Sequence, residues 1–502
     1  MQRLWARPAP NENSRAEVHI RIPGIGESFI NTDQATNTLS QWNLRNTFSW
    51  QPVASHLLRL GMDQRRFTSS VHPPPLSVTA TFLDRAAIVN GRASDLVIST
   101  SLPASPLFNE FSAFVQDEWK AAKTLDTSLG VRWDVNPPPV EIHGKNAFTA
   151  QGDIEHPGAF TLAPRGTPLW NTDWLAIAPR VGAAWTINES PGKELVVRAG
   201  AGMFFDSANR AAVGAYGALG FVATSHFHDA SLPATPAQFD VITTTIAPHV
   251  DSVAYSFPLN LRLPYTFQWN VAAEKALGKH QMLTLSYVGA TGHRLLQPER
   301  RDVSQETPQF SEIVFFPAGT TSSYQSVQAK FQRSFSAGLD VLASYVWSHT
   351  LDFGSTDPAF PFRYGNSDLD IRHNLQAAVS WTQPKVAGGR IWRNALNGWG
   401  IDGRASLRTG YPVTPLGNLL LDPVTGDRFY TGVDVVPQRP LYLYGDQYPG
   451  GRSFNGGRTL SFPHFSSPSG ETPETLHATY SGVSAHSRSA LLYVGTSVST
   501  TA

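Results

Sequence analysis

The sequence contains no cysteine. That excludes a disulfide framework and any thiolate metal site. It carries no net charge, with 39 Lys plus Arg against 39 Asp plus Glu. A nucleic-acid binder has a basic footprint, so nucleic acid is not expected as a partner. No run of residues approaches the ~20 apolar positions that a membrane-crossing helix needs. No Gly-x-Ser-x-Gly elbow, no phosphate-cradling Gly-Lys-Ser/Thr loop and no His-Glu-x-x-His pair occurs. No catalytic residue stands out, no cofactor is implied, and an enzyme is not expected. The opening residues Met1-Gln2-Arg3-Leu4-Trp5 lack the apolar core of a signal peptide. An exported form is expected to lack its signal here, or to be incomplete.

What the chain does have is alternation. From Leu125 to Asp134, Leu125, Thr127, Leu129, Val131 and Trp133 share one face. Asp126, Ser128, Gly130, Arg132 and Asp134 share the other. A period of two is the signature of a β-strand, because successive side chains point to opposite faces. The preceding run, Phe111 to Trp119, alternates less cleanly, with Phe114 and Asp117 out of place. The two runs and the turn Lys120 to Thr124 make a hairpin.

The pattern recurs along the chain. Leu39 to Trp50 and His56 to Asp63 form one pair, and Val181 to Ile187 and Leu195 to Asp206 another. Tyr265 to Glu274 pairs with Leu283 to Tyr287, and Val327 to Gln332 with Leu339 to Trp347. His373 to Trp381 pairs with Trp399 to Arg408. Within pairs the turns are short, as at Asn188 to Lys193, Lys275 to His280 and Phe335 to Gly338. Between pairs the connections are long: Thr68 to Asn109, Val135 to Ala178, Ser207 to Pro264, Thr291 to Ser323 and Leu351 to Leu369.

Short turns at one end and long loops at the other are the layout of a transmembrane antiparallel up-and-down β-barrel. The all-β reading gives about 12–13 strands, each needing roughly ten alternating residues to cross. A soluble sandwich also alternates, but repeated connections of twenty to sixty residues, roughly, are unusual for it. Trp50, Trp119, Trp133, Trp347 and Trp381 lie at strand ends, where an aromatic girdle meets the water–lipid interface. The apolar face then meets lipid, and Arg132, Asp134, Arg198, Asp206, Glu274, Lys330, Asp402 and Arg404 point into the lumen or the headgroup zone. Turn Lys120 to Thr124 is expected on the periplasmic side, with Trp119 beside it and Phe111 and Trp133 at the opposite interface.

Several stretches then resemble a known family. Phe114-Val115-Gln116-Asp117-Glu118-Trp119, followed by Leu129-Gly130-Val131-Arg132-Trp133-Asp134, resembles the hairpin of TonB-dependent receptor barrels. Ala178-Pro179-Arg180-Val181-Gly182, Arg198 to Asp206, Gln268-Trp269-Asn270, Ser286 to Gly292, Ser344 to Ser348, Asp370 to Asn374 and Asn397-Gly398-Trp399 are similar to the Oar-like, carboxypeptidase-regulatory-domain-bearing branch. The resemblance covers residues 37–457. It implies a 22-stranded outer-membrane barrel, an N-terminal plug, and uptake energised through TonB. The chain departs from the family in showing no plug, no TonB box and about 12–13 strands of the 22. Residues 1–36 are read as an incomplete N-terminal barrel segment and 458–502 as an atypical tail. After about Gly470 the Ser/Thr-rich sequence fits neither a strand pair nor the family's aromatic end. A truncated or frameshifted coding sequence is expected.

Candidate site residues carry weak signals. His226-Phe227-His228-Asp229 could ligate a metal, but two His at i, i+2 in a long loop are more often solvated. Asp352, Asp357, Asp368 and Asp370 could offer oxygens to calcium, but lack the spacing of a calcium loop. Gly200, Gly202, Gly289 and Gly292 lie in strands or turns, not before a helix, and read as barrel bends. Arg180 and Arg372 read as partners of carboxylates. No metal or ligand residue is assigned.

Two functions remain open. One is an outer-membrane receptor or transporter for an oligosaccharide, peptide or metal chelate, with outer-membrane lipid as solvent. TonB would be its partner if a full-length form supplies the plug and box. The other is a non-transport surface protein, for adhesion or secretion, that binds partners through its long loops. A soluble carbohydrate-active β enzyme is a distant third and would need convergent carboxylates.

Overall fold

Alternating segments become strands because a pleated backbone sends neighbouring side chains to opposite faces. In the computed structural model they pair in sequence order into one large antiparallel sheet. The structure describes residues 16–22, 26–31, 36–74, 76–152, 156, 159–235, 238, 252–336, 338–353, 364–383, 399–412, 419–421, 428–430, 442–447, 451–454 and 495–500. The ladder runs β1 (Thr36–Val53), β2 (His56–His72), β3 (Pro106–Ala122), β4 (Leu125–Val135), β5 (Ala176–Asn188), β6 (Leu195–Phe205) and β7 (Tyr265–Ala276). It continues through β8 (Gln281–Leu296), β9 (Ala318–Ser336), β10 (Leu339–Asp352), β11 (His373–Thr382), β12 (Trp399–Arg408) and β13 (Gly495–Thr500). Each strand pairs with its neighbours in sequence, so the topology is up-and-down.

Among the described residues, the six hairpins of the large sheet share one polarity. Turns such as those after Val53 and Ala122 are tight, and the register shifts at Trp50/Val53 and Lys120/Ala122 are bulges beside them. The strands outrun the alternating runs: β1 extends to Thr36 and Val53, and β2 and β3 meet as far up as Thr68 opposite Leu107. The last strand lies within the stretch read as an atypical tail. Gly495–Thr500 pairs antiparallel with Trp399–Arg404. Ser/Thr-rich sequence gives little polar–apolar contrast, but Thr and Val are good strand formers and the ladder needs only backbone.

The two faces divide as polarity requires. Trp42, Leu44, Phe48, Trp50, Leu60, Leu129, Val131, Val181 and Trp185 are all exposed despite being large and apolar. Registers place them together: Phe48 opposite Leu60, Leu129 opposite Val181, Trp185 opposite Leu125. An apolar belt of this extent exposed on a sheet is stable only against lipid.

The two residues that break the alternation of β3 have partners in β2. Asp117 faces outward near the short turns, where it pairs with His56 (Nδ1 to Oδ2, 2.7 Å). His56 in turn stacks on Trp119, with centroids 5.5 Å apart. Phe114 faces inward over Gly61, its cross-strand partner; a Cβ on Gly61 would stand 2.4 Å from the Phe114 ring. Gly289 lies under Trp269 in the same way, with 2.3 Å to the indole.

The dry core lies in the long connections, which were expected as loops and instead fold into a cap. The fully buried large side chains include Trp170, Phe108, Phe221 and Phe310. One cluster joins Phe108, Trp170, Tyr216, Phe221, Phe257 and Phe316. A second holds Ala80, Leu96 and Ile98 of a five-stranded sheet formed by Ala16–Ile22, Gly26–Asn31, Leu76–Thr81, Arg92–Ser101 and Val222–Ser231. The helix Arg85–Val89 belongs to this unit and is capped by Asp84, whose carboxylate accepts from the Ala87 N–H at 2.8 Å. Ala16–Ile22 and Gly26–Asn31 therefore pair in the cap sheet and not in the large one. Their strands, seven and six residues long, fall short of the roughly 9–11 that a crossing requires. A third cluster, with Phe310 and Ile313, covers the sheet of Val253–Ser256, Glu299–Asp302 and Glu312–Phe315.

Candidate functional site

The inward face of β2 to β7 is a polar wall built by alternation. Its rows read Asp126–Ala184–Arg198 and Ser128–Gly182–Gly200–Asn270 across neighbouring strands. Towards the short turns, Arg59 pairs with Glu118 at 3.2 Å and Arg198 with Glu274 at 3.2 Å. Gln116 Nε2 donates to Glu118 at 3.3 Å and to Ser128 at 3.1 Å. A cavity of about 590 Å³ lies here, lined by Lys120, Asp126, Ser128, Gly182 and Arg198 among others.

A second cleft of about 210 Å³ opens where the wall meets the cap, and its lining is polar and charged. Asp63 and Arg65 come from β2, Glu110 from β3, Arg132 and Asp134 from β4, and Asp206 from just beyond β6. Arg65 pairs with Glu110 at 3.3 Å. Glu110 also accepts from Asn209 Nδ2 of the cap helix Asn209–Ala215 at 2.6 Å, which ties cap to wall. Arg132 Nε donates to Asp134 at 2.8 Å. Asp63 Oδ1 is buried and has no hydrogen-bond partner. Exposed pairs of this kind are worth ~0–1 kcal/mol each, so they shape the surface more than they hold the fold. They present donors and acceptors of both signs to water in the lumen. That suits reversible contact with a hydrophilic solute.

Arg180 and Arg372 divide. Arg372 pairs with the buried Asp370 at 3.2 Å, and Asp370 also accepts from the Thr350 N–H at 2.7 Å. Arg180 instead lies over the Phe204 ring at 4.4 Å, a cation–π contact that sequence order does not reveal. Asp370 is thus occupied as an anchor of β10 to β11, and Asp357 lies outside the described residues. His226 and His228 stand on one face of Val222–Ser231, at 3.8 and 3.5 Å from Asp95 on the neighbouring strand. Among the described residues, no three His, Cys, Asp or Glu side chains are grouped to hold a metal ion. Gly200, Gly202, Gly289 and Gly292 all lie within strands.

In the cap, Tyr216 donates to the Pro139 carbonyl at 3.1 Å. Burial, reinforced by nearby Glu141, pushes its hydroxyl above the ordinary tyrosine range, so it stays a donor. Glu141 is itself buried and accepts from the N–H groups of Ser105, His143 and Lys145, which fixes the connection after β4. Sequence reasoning missed Glu110 and Asn209, because both lie in or beside stretches taken as loops.

The family described as outer membrane beta barrel domain matches residues 7–486. No curated protein matches the chain. Among solved structures, the outer membrane transporter YddB from Escherichia coli aligns at a TM-score of 0.50 and 10% identity. The alignment covers 81% of this chain and 47% of YddB. The FrpB iron transporter from Neisseria meningitidis aligns at 0.43 and 10%, over 79% and 46%. The ferripyoverdine receptor of Pseudomonas aeruginosa aligns at 0.41 and 10%, over 79% and 41%. The chain spans about half the length of the solved structures it resembles.

Proposed function

Because the chain belongs to the outer membrane β-barrel family, and so resides in the outer membrane, we propose that it serves there as a receptor or transporter for a hydrophilic ligand. The observation that carries this reading is the charged cleft between cap and inward wall, with Glu110 held from both sides. A ligand captured at the cap would pass from there to the polar wall of β2 to β7. The ligand class stays at oligosaccharide, peptide or metal chelate, and TonB coupling, implied by the resemblance of the β3–β4 hairpin, would require a plug and TonB box in the full-length form.

The test is accumulation. Cells expressing the intact gene are offered a labelled panel of oligosaccharides, peptides and ferric chelates, with and without a proton uncoupler. Uptake of one class that the uncoupler abolishes is the expected outcome. Arg132→Ala should raise its half-saturating concentration roughly tenfold, the equivalent of ~1.4 kcal/mol for one charge-assisted contact. Surface binding without accumulation would point instead to an adhesion or secretion role.

A further inference from the structure

One arginine of the inward wall stands outside its ion pairs. Arg59, Arg65, Arg132 and Arg198 each pair with a carboxylate. Arg180 of β5, exposed on the same face, makes no ion pair among the described residues. The carboxylate whose charge reaches it, Asp134, is already held by Arg132 at 2.8 Å. Arg180 lies over the Phe204 ring instead. That contact uses the charge of the guanidinium and leaves N–H donors for a planar acid.

The wall around it is bare. Its cross-strand partners are Gly130 on β4 and Gly202 on β6. A Cβ on Gly202 would stand 3.1 Å from Arg180 Cγ and 3.3 Å from the Phe204 ring, so the arginine stem lies directly on backbone. The next row towards the short turns is Ser128–Gly182–Gly200–Asn270. A Cβ on Gly182 would meet nothing nearer than 3.8 Å, so the floor there is open. Ser128 and Gly182 also line the cavity of about 590 Å³, a volume within the ~300–1,000 Å³ usual for ligand sites.

Carboxamides surround this clearing. Gln116 lies opposite Gly130 and Gln268 opposite Gly202, so they flank the row of Arg180 at both ends. Gln116 gives its Nε2 to Glu118 and Ser128 and keeps its carbonyl as an acceptor. Gln268 and Asn270 are exposed. A carboxamide both donates and accepts, which matches a hydroxyl, and a guanidinium matches one carboxylate bidentately. Several hydroxyls beside a single carboxylate are the chemistry of a sugar acid.

We propose that this clearing binds a uronate residue of an acidic oligosaccharide. Its carboxylate meets Arg180, its ring lies over Gly182 and Gly200, and its hydroxyls meet Gln116, Gln268 and Asn270. The proposal rests on the receptor or transporter role and narrows the ligand to one class.

The test measures binding to outer membranes isolated from cells that express the intact gene, above that of membranes lacking it. The probes are radiolabelled trigalacturonate, its neutral methyl ester and triglutamate. Trigalacturonate should bind roughly tenfold more tightly than the ester. Arg180→Gln should lose that preference and leave binding of the ester unchanged. Gly182→Leu, which fills the floor and keeps the arginine, should lose binding of both sugars, while Lys330→Gln on β9 should change nothing. Heat-modifiable migration certifies that each variant is folded. Equal binding of acid and ester by the native protein, or an unchanged preference in folded Arg180→Gln, would overturn the proposal. So would tighter binding of triglutamate, which would assign the clearing to an acidic peptide. Binding of trigalacturonate without accumulation in cells would support this site and contradict transport. Uncoupler-sensitive uptake of a neutral ligand, with no binding of trigalacturonate, would contradict this site and leave transport standing.

Discussion

Leu129→Arg is expected to cut the folded, heat-modifiable fraction of the protein sharply, while Ser128→Arg leaves it nearly intact. Leu129 sits midway along β4, 53% exposed, between Asp117 and Val181 on the outward face. An arginine there would place a guanidinium near the centre of the apolar belt, at a cost of ~2–4 kcal/mol. That is roughly a 30-fold to several-hundred-fold shift against the assembled state. Ser128 is one residue away on the inward face, where its hydroxyl accepts from Gln116 at 3.1 Å. An arginine at that position enters the aqueous lumen beside Glu118 and should cost less than about 1 kcal/mol. Gel migration before and after heating, on outer-membrane fractions, reads both. Equal tolerance of the two substitutions would mean that the assigned faces are wrong.

Trp170→Ala should unfold the cap and spare the sheet. The indole is 1% exposed and packs on Phe257, with centroids 5.1 Å apart, while Phe257 stacks on Phe316 at 4.8 Å. Its Nε1 has no hydrogen-bond partner, so what is lost is packing alone. Removing a buried tryptophan leaves a cavity worth ~3–5 kcal/mol. The cap core reaches the sheet through Phe108 of β3, which stacks on Phe67 of β2 at 4.8 Å, but the ladder itself is held by its own backbone pairing, so loss of the cap need not propagate. Limited proteolysis should therefore cut the connections at residues 136–175 in the variant, with heat-modifiable migration of the sheet retained. If migration is lost along with protease resistance, cap and sheet fold as one unit and the division drawn here is incorrect.

The lipid-facing sheet was legible in the sequence because it leaves a local trace. Leu125 to Asp134 needs only its own ten residues to announce a strand with two unlike faces. The cap leaves no such trace. Its strands are short, and their partners are distant in sequence: Ser99 meets Thr224 at 3.1 Å across 125 positions. The same distance hid the reason for Asp117, whose His56 lies 61 positions earlier. It also hid Asp95 between His226 and His228, although the His pair itself could be seen. Arg372 could be read as a carboxylate partner because Asp370 is two residues away, while Arg180 could not be placed on Phe204 without the β5–β6 register. The inward cleft beside the cap was half legible: Asp63 already ended the alternating run of β2, and Arg132 and Asp134 were expected to face inward, but Arg65 and Glu110 join them only because β2 and β3 extend beyond their alternating cores.

The central claim is that the exposed apolar face of the large sheet is solvated by lipid. It is tested most directly by a spin-label scan along Leu125–Val135 of the protein in native outer membranes, with oxygen and a water-soluble nickel chelate as the two relaxing agents. The account predicts accessibility that alternates with a period of two: oxygen dominant at Thr127, Leu129 and Val131, and nickel dominant at Asp126, Ser128 and Gly130. Nickel accessibility at all six positions, or no alternation, would contradict it.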